Sequence, residues 1–225
     1  MGKVDFDDFA DDYKEILEKQ IRFFEIGSDY FARYKVSTVK RLLQHEPKRI
    51  LEFGCGIGGN IKHLLQTFPF ASVVGCDLSE NCLTVAARNN PGANFFMISK
   101  EVFPDSEKFD LIFVANVFHH IIPEKRINTT KLLKQLMTTN GELYVFEHNP
   151  YNPITRHLVN SCPFDADAEL LTPKQLASLL RGAGFSTIEK GFILFFPSFL
   201  RLLRPLERFL TYLPLGGQYV IRTTQ

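Results

Sequence analysis

The stretch Arg49–Asn60, RILEFGCGIGGN, places four glycines within six residues directly after a short apolar run. A glycine turn between a buried strand and a helix lets the backbone approach a ligand and directs free helix N–H groups towards it. Two templates fit these letters. One is GxGxG through Gly54, Gly56 and Gly58, and the other is the dinucleotide-binding GxGxxG, which replaces the last of these with Gly59.

Glu52, two residues before the first glycine, favours the GxGxG template. The strand that leads into a dinucleotide turn is usually apolar up to the first glycine, where a pyrophosphate lies. A carboxylate at that place repels phosphate and attracts a cation. The motif therefore predicts a ligand that carries positive charge.

The overall composition predicts a single domain, residues 1–225, that binds a small molecule. A chain of 225 residues with 45% hydrophobic residues fits one globular domain. A formal net charge of +1 supplies no field for a polyanion, so no nucleic-acid partner is expected. The four cysteines form no Cys-x-x-Cys pair and no zinc-type spacing with histidine, so neither a disulfide scaffold nor a metal is expected.

The same features predict a cytoplasmic protein. Unpaired cysteines fit a reducing compartment. The first twenty residues carry acidic side chains and lack the apolar core of a signal peptide. No apolar run reaches the roughly 18 residues that a membrane span requires.

Apolar periodicity along the chain alternates between strand and helix patterns. Helical patterns at 7–26 and 35–45 precede the first strand. The predicted strands are 47–53, 72–78, 93–99, 109–116, 141–147, 186–196 and 217–223, and the predicted helices between them are 58–67, 79–89, 124–138 and 172–184. This alternation predicts an α/β fold with a doubly wound, mostly parallel sheet, whose ligands lie beyond the carboxyl ends of the strands.

Three segments resemble motifs of the class I S-adenosylmethionine-dependent methyltransferases, small-molecule type. LEFGCGIGGN resembles the first motif, VVGCDLSENCLTVAARN the second, and FDLIFVANVFHHI the fourth strand with the turn that follows it. The resemblance implies a seven-stranded Rossmann-like sheet with N-terminal helices. A helical insertion before the last strand is expected in addition to the plain family fold. The resemblance divides the domain into an N-terminal helical cap (1–45), a cofactor-binding core (46–150) and a substrate-side region (151–225).

The resemblance also implies a cofactor, S-adenosyl-L-methionine, with S-adenosyl-L-homocysteine as product. Asp77 is expected to accept the ribose hydroxyls, and Asn116 to end the fourth strand at the cofactor. The family often has an acid where this chain has Ser99, so the adenine contact stays open between Ser99 and Glu101. The implied cofactor-binding residues are Glu52, Gly54, Cys55, Gly56, Gly58, Asn60, Asp77, Leu78, Ser99, Lys100 and Asn116.

His119 and His120 follow the fourth strand, and either one is a candidate to take a proton from the acceptor. Adjacent side chains on a turn point in different directions, so at most one is expected to face the substrate. The alternative interpretation packs His120 under the cofactor and leaves His119 in solvent. Methyl transfer itself depends mainly on alignment of the reacting atoms in a dry site.

The segment after the fifth predicted strand, EHNPYNPITRHLVNSCPFDADAELLTP, is where acceptor choice is expected. It is rich in polar side chains, and its prolines stiffen a loop with a short helix near 153–160. The N-terminal helices are expected to form the opposite wall. Asn149 and Asn152 have an alternative role in satisfying loop backbone. The candidate substrate-binding residues are Tyr13, Tyr34, His148, Asn149, Asn152 and Arg156.

Residues 196–215 form a basic amphipathic insertion before the last strand. Leucine and phenylalanine recur at helical spacing with Arg201, Arg204 and Arg208 between them, and Pro205 interrupts the pattern. The pattern fits a lid, a homodimer surface, or a peripheral membrane contact through 196–213.

The sequence thus favours an enzyme that transfers a methyl group by in-line displacement to a small-molecule or lipid-linked acceptor. Two alternatives stay open at this point. One is an NAD(P)-dependent oxidoreductase that uses the same glycines, and the other is a catalytically silent partner subunit with the cofactor fold.

Overall fold

The computed structural model describes residues 27–98 and 108–224 of the chain. Several features predicted from the sequence lie outside these residues. They are the helical pattern at 7–26, Tyr13, Ser99, Lys100 and Glu101.

Seven strands form one sheet in the order β3-β2-β1-β4-β5-β7-β6. The strands are β1 (Arg49–Phe53), β2 (Ser72–Asp77), β3 (Asn94–Met97), β4 (Phe109–Ala115), β5 (Met137–His148), β6 (Thr187–Ile193) and β7 (Gln218–Thr224). The first five strands are mutually parallel, and β7 runs antiparallel to both β5 and β6. The predicted doubly wound, mostly parallel sheet is therefore confirmed.

Helices cover both faces of the sheet. They are α1 (Ser28–Leu42), α2 (Ile61–Thr67), α3 (Glu80–Asn89), α4 (Pro123–Gln135), α5 (Pro153–Ser161) and α6 (Pro173–Gly182), with short 3-10 helices at Phe118–His120 and Pro163–Asp165. The helix before β1 begins at Ser28, earlier than the predicted 35–45, because Ala32 extends the buried stripe of Val36 and Val39 towards the N-terminus. Ser79 caps α3, since its hydroxyl accepts from the Cys82 amide at 3.0 Å.

The core lies in two layers, one on each face of the central strands. Leu51, Ile112 and Val145 belong to one layer, and Ile50 and Phe113 belong to the other. Both faces of β1 and β4 are therefore dry, as expected for parallel strands between two helical layers. Because those strands are parallel, their carboxyl ends meet at one edge of the sheet, where polar side chains collect.

The insertion before β7 differs from the single interrupted α-helix that its periodicity predicts. Residues Ser198–Leu206 form a 3-10 helix with non-helical dihedrals at Leu200, followed by the short α-helix α7 (Glu207–Leu210). Pro205 lies inside the 3-10 segment and has no N–H to donate, which disfavours a continuous α-helix. Across the part of the chain that the structure describes, no helix is long and apolar enough to cross a membrane.

Candidate functional site

A cavity of about 1290 Å³ opens at the carboxyl edge of the sheet. The glycine turn after β1 forms its floor, and α1, α5 and the start of the insertion form its walls. Ligand pockets commonly span about 300–1,000 Å³, so this cavity has room for two small molecules side by side. The lining includes eight of the residues predicted to bind cofactor. They are Gly54, Cys55, Gly56, Gly58, Asn60, Asp77, Leu78 and Asn116.

The backbone of the glycine turn decides between the two templates. Gly54, Gly56 and Gly58 have φ values of 72°, 52° and 78°, a region that side chains rarely adopt, whereas Gly59 does not. A Cβ on Gly54 would collide with Val117, while a Cβ on Gly56 would meet no atom within 4 Å. The GxGxG spacing is therefore the one that the fold uses, and Gly56 leaves open space beside the cavity.

Asp77 ends β2 and organises the loops around it. Its Oδ2 accepts from the Gly56 amide at 2.8 Å, and its Oδ1 accepts from the amides of Leu78 at 2.8 Å and Ser79 at 3.1 Å. A carboxylate has about four lone-pair sites, so further acceptor capacity remains for a ligand. The predicted ribose contact stays a prediction, and the structure adds a second role in which Asp77 holds the glycine turn.

Glu52 lies beneath the cavity, with 1% of its surface exposed. Its Oε1 accepts from the Asn60 amide at 2.6 Å, and Oε2 has no hydrogen-bond partner among the described residues. Burial raises the pKa of Glu52 to about 8, against the opposing effects of Asn60 and Lys35. Lys35, also buried, lines the cavity, and burial lowers its pKa to about 8. A cationic group in the cavity would stabilise the ionised form of Glu52.

Asn116 follows β4 in a left-handed backbone conformation, with φ of 58°. Its amide N donates to the Phe146 carbonyl at 2.8 Å, and its side-chain Oδ1 is buried without a partner among the described residues. Asparagine tolerates this conformation better than most residues. The side chain lines the cavity, so its oxygen is available to a donor on a ligand.

A cluster of histidines and carboxylates contributes His119, His120, His148 and Asp165 to the cavity lining. His119 Nδ1 lies 2.5 Å from Glu147 Oε2, and Glu147 Oε1 accepts from the Phe118 amide at 2.7 Å. Asp165, in the loop after α5, places its Oδ1 3.6 Å from His119 Nε2 and 3.3 Å from His120 Nε2. The His148 ring centre lies 5.1 Å from that of His119.

Electrostatics divide the cluster into charged and neutral members. Burial alone would lower the pKa of His119, but Glu147 and Asp165 together raise it to about 9. His119 in turn holds the pKa values of Glu147 and Asp165 below their usual ranges, against the effect of burial. Burial, together with the neighbouring His119, lowers the pKa of His148 to about 4. His148 is therefore the neutral member at physiological pH.

Both predictions for the histidine pair need correction. His119 is 1% exposed and bonded to Glu147, so it is not in solvent. Both His119 and His120 line the cavity. One oxygen of Asp165 lies 3.6 Å from His119 Nε2 and 3.3 Å from His120 Nε2. The two ring centres lie 4.1 Å apart. Whether either histidine takes a proton from an acceptor stays a prediction.

The insertion packs on α1 at the cavity mouth. The Tyr34 hydroxyl donates to Glu207 Oε2 at 2.5 Å, and Glu207 Oε1 accepts from the Phe196 amide at 3.1 Å. The Arg204 guanidinium lies over the Tyr30 ring, 4.1 Å from its centre. Phe195, Phe196, Pro197 and Phe199, between β6 and this contact, line the cavity.

Three of the predicted substrate-binding residues do not line the cavity, and a fourth lines it but also has a structural role. Tyr34 points to Glu207 and does not line the cavity. Asn149 is fully buried, and its amide donates to the carbonyls of Pro214 and Gly216. Arg156 is exposed on the outer side of α5, away from the lining. Asn152 does line the cavity, but it caps α5 and donates to the Leu215 carbonyl.

Three functional candidates were not predicted from the sequence. Glu147 ends the buried strand β5 as Glu52 ends β1, and an acid at the end of an apolar run was the signal that could have identified it. Asp165 and Lys35 carry no comparable local signal. Lys35 lies on an amphipathic helix, and Asp165 lies in a polar segment after α5. Only the tertiary fold brings the two residues to the cavity.

Comparisons with known proteins indicate which class of protein this chain resembles. A family model described as a methyltransferase domain matches residues 51–143. Thiocyanate methyltransferase 1 of Brassica oleracea is 37% identical over 115 residues, 48% of this chain and 48% of that protein. The chain is therefore similar to methyltransferases over residues 51–143, and it shares the fold of an S-adenosylmethionine-dependent methyltransferase. The alternative of a dinucleotide-dependent oxidoreductase is not supported, in agreement with the φ values of the glycine turn. The alternative of a silent subunit is likewise unsupported.

Further methyltransferases define how far the similarity extends. Malonyl-(acyl-carrier protein) O-methyltransferase of Halalkalibacterium halodurans is 31% identical over 118 residues, 49% of this chain and 43% of that protein. The chain therefore spans about half the length of the curated relatives it matches. A crystal structure of a SAM-dependent methyltransferase from Archaeoglobus fulgidus matches with a TM-score of 0.69, covering 95% of this chain and all of that one at 16% identity, which shows the shared fold.

The cavity has groups that fit S-adenosyl-L-methionine, the cofactor that the sequence resemblance implies. That cofactor combines ribose hydroxyls, an ammonium group and a sulfonium. The Asp77 carboxylate suits the hydroxyls, and the unpartnered Oε2 of Glu52 suits a cation. The open space at Gly56 permits close approach of a ligand to the backbone. The predicted residues Gly56 and Asp77 therefore line the cavity together, whereas Glu52 is buried beneath the turn and is not one of the lining residues.

Proposed function

We propose that the protein transfers a methyl group from S-adenosyl-L-methionine to a small-molecule acceptor with a substantial apolar part. One observation carries the proposal. The glycine turn, Asp77 and Asn116 line a single cavity together with His119, His120 and Asp165. The cofactor is assigned to the glycine turn and Asp77, and the reacting atom of the acceptor to the histidines.

The chain's own residues would hold and orient the cofactor. Asp77 and Asn116 offer oxygens to hydroxyl and amine donors, and Glu52 neutralises the ammonium group from below the turn. Bound S-adenosyl-L-methionine supplies a methyl group already activated by its sulfonium. The protein's contribution is then to align the acceptor in line with that group and to exclude water, which can account for about 7–11 kcal/mol of the barrier.

The acceptor end of the cavity is predominantly apolar. Phe164, Leu158 and Val159 line it from the α5 region, and Phe195 and Phe196 line it from the end of β6. Such walls favour a hydrophobic body on the acceptor and exclude water around the reacting atoms. The polar groups at this end belong to the histidine–carboxylate cluster, so the nucleophilic atom of the acceptor is expected to face that cluster.

His120 is the better placed of the two histidines to receive a proton from the acceptor. Its side chain is 16% exposed and lines the cavity, whereas His119 is buried between Glu147 and Asp165. Asp165 Oδ1, which lies 3.3 Å from His120 Nε2, is placed to orient the His120 ring. Alignment remains the larger contribution, because an acceptor that is already anionic needs no base.

A lipid-linked acceptor is the second candidate, and the insertion is the observation that favours it. Phe199 is 74% exposed and Leu202 is 88% exposed, and Phe209, Tyr212 and Leu215 are also exposed. Phe199 also lines the cavity, so an apolar outer surface runs up to the mouth of the acceptor site. With Arg201 and Arg208 exposed beside it, this surface fits an anionic lipid headgroup region.

Calorimetric titration with S-adenosyl-L-homocysteine and, separately, with NADH tests the proposed function. Binding of the first and not the second is the expected result. A following screen would measure release of labelled methyl groups with acyl, phenolic and thiol acceptors. Failure to bind S-adenosyl-L-homocysteine would overturn the proposal, whereas binding without turnover in every acceptor class would favour a silent subunit.

A further inference from the structure

We infer that His119, His120 and Asp165 form a binding site for one divalent transition-metal ion at the acceptor end of the cavity. Each residue offers one ligand atom, and the three atoms lie within 4.8 Å of one another. The two imidazole Nε2 atoms lie 3.6 and 3.3 Å from the same oxygen, Asp165 Oδ1. Tetrahedral ligands at Zn–N and Zn–O distances near 2.1 Å lie about 3.4 Å apart, so these separations fit a shared ion.

A hydrogen bond to Glu147 orients the His119 ring, and the His120 ring has Asp167 at ion-pair distance. Glu147 Oε2 lies 2.5 Å from His119 Nδ1, and Asp167 Oδ1 lies 3.6 Å from His120 Nδ1. Metal-bound histidines almost always direct the other ring nitrogen to a carboxylate or carbonyl, which fixes the tautomer. Each ring therefore has a carboxylate on the side away from Asp165.

His119 Nε2 is at ion-pair distance from Asp165 but lacks a hydrogen bond among the described residues. This nitrogen is buried, and 3.6 Å to Asp165 exceeds hydrogen-bond length. Buried polar atoms in native proteins are nearly always satisfied. A metal ion at the shared position would satisfy this nitrogen and the two neighbouring ligands together.

The ligand set indicates the class of metal. Two imidazoles and one carboxylate suit Zn²⁺, Fe²⁺, Co²⁺ or Ni²⁺, whereas Mg²⁺ and Ca²⁺ prefer all-oxygen sites. Three protein ligands leave at least one coordination position for a fourth ligand. All three side chains line the cavity, so the open position faces the acceptor end. No metal was predicted from the sequence, because Asp165 is distant from the histidines along the chain.

An acceptor role for this metal rests on the proposed function. A hydroxyl or thiol bound to such an ion is more acidic than in water, so it loses its proton to solvent before it attacks the methyl group. The ring nitrogens of a metal-bound His120 are then not the proton acceptor. The metal site itself does not depend on methyl transfer, and it is tested by binding alone.

The test is a titration of the metal-stripped full chain with Co²⁺, followed by visible absorption, and with Zn²⁺, followed by calorimetry. We expect one ion per chain, and a loss of affinity of at least about tenfold in His120→Asn and Asp165→Asn. Glu147→Gln should weaken binding by about 10- to 100-fold through its effect on His119. His157→Asn, a histidine exposed on α5, is the matched control and should bind as the unaltered chain does.

Circular dichroism and S-adenosyl-L-homocysteine binding verify that each variant is folded. Asp165→Asn keeps the size of the side chain and is expected to retain S-adenosyl-L-homocysteine affinity, because the ion pairs of Asp165 are with His119 and His120 and not with Asp77 or the glycine turn. Absence of Co²⁺ and Zn²⁺ binding by the unaltered chain would overturn the inference. Equal metal affinity in Asp165→Asn, His120→Asn and His157→Asn would also overturn it. Either result leaves the proposed methyl transfer intact if S-adenosyl-L-homocysteine still binds.

Discussion

The Gly56 amide donates to the Asp77 carboxylate, with the N atom 2.8 Å from Oδ2. This bond ties the glycine turn after β1 to the end of β2, two strands that pair in parallel register. Asp77 therefore shapes the turn in addition to offering oxygens to a ligand. A change at Asp77 is expected to act on both the turn and the cofactor.

Asp77→Ala should lower the affinity for S-adenosyl-L-homocysteine by at least tenfold. A hydrogen bond to a charged group contributes about 1.5–3 kcal/mol, and about 1.4 kcal/mol corresponds to tenfold. Calorimetry measures the affinity, and thermal unfolding measures the separate loss from the Gly56 bond. Glu80→Ala is the control, because Glu80 is exposed nearby and does not line the cavity. Unchanged affinity in Asp77→Ala would refute the ribose assignment.

Gly56→Ala should lower stability and S-adenosyl-L-homocysteine affinity, whereas Gly59→Ala should change neither. At Gly56 the left-handed φ of 52° costs a residue with a Cβ about 1–2 kcal/mol, and the added methyl group lies beside the cavity. At Gly59 the φ is ordinary and a Cβ meets no atom within 4 Å. We expect lower stability and weaker S-adenosyl-L-homocysteine binding only in Gly56→Ala. Equal losses in both variants would contradict the GxGxG assignment.

Glu52→Gln should flatten the pH dependence of stability. The pKa of Glu52 is raised from 4.5 to about 8, so between these values the folded chain holds a proton that the unfolded chain has released. The free energy of unfolding therefore falls as pH rises through this interval. Lys35, whose pKa is lowered to about 8, acts in the opposite direction only above that pH.

Melting temperatures measured from about pH 5 to pH 8, for the unaltered chain and for Glu52→Gln, test this effect. The difference between the two curves should grow with pH in favour of the variant. Glu80→Gln is the matched control, because its exposed carboxyl should leave the curve unchanged. Parallel curves for all three proteins would show that Glu52 ionises normally in the folded chain.

The insertion is expected to depend on the bond between Tyr34 and Glu207. Glu207 is buried, and Tyr34→Phe would leave its Oε2 without this donor, which costs about 1–3 kcal/mol. Denaturant unfolding and hydrogen exchange across 196–215 measure the effect. Tyr212→Phe, at an exposed tyrosine of the same segment, should have no effect. If exchange of the insertion is unaltered in Tyr34→Phe, the bond does not hold it.

The sequence predicted the sheet well because its information is local. Each strand of the core is a short apolar run, and Glu52, Asp77 and Asn116 follow such runs, so their common edge follows from parallel topology. The acceptor wall was predicted less well. Asn149 and Arg156 are polar loop residues in either role, and only the fold shows that Asn149 bonds to backbone while Arg156 is exposed.

The insertion shows that apolar periodicity does not predict tertiary contacts. Apolar spacing predicted an amphipathic helix interrupted at Pro205, whereas the segment is a 3-10 helix followed by a short α-helix. Glu207 and Arg204 anchor it, and Leu202 and Phe209 are exposed. Spacing records which side chains share a face, but the contacts of Glu207 with Tyr34 and Phe196 are set by tertiary packing. The three predicted arginines also differ, since Arg204 lies over Tyr30.

The exposed surface of the insertion should bind anionic vesicles at low salt. Arg201 and Arg208 are exposed, and each arginine near such a surface contributes about 1 kcal/mol, an attraction that salt screens. Arg204 is not part of this prediction, because its guanidinium stacks on Tyr30 and its Nε donates to Phe196. Co-sedimentation with phosphatidylserine vesicles, against neutral vesicles, measures the binding.

The double variant Arg201→Gln/Arg208→Gln should release the protein from anionic vesicles, and Leu202→Asp/Phe209→Asp should do so at every salt concentration because it removes the apolar contact. Lys174→Gln/Arg181→Gln, which neutralises two exposed cations on α6, is the matched control and should still bind. If the unaltered chain ignores vesicles and elutes as a dimer that Leu202→Asp/Phe209→Asp separates, the surface joins two copies of the chain. A lipid-linked acceptor would then lose its support, while methyl transfer to a soluble apolar acceptor would stand.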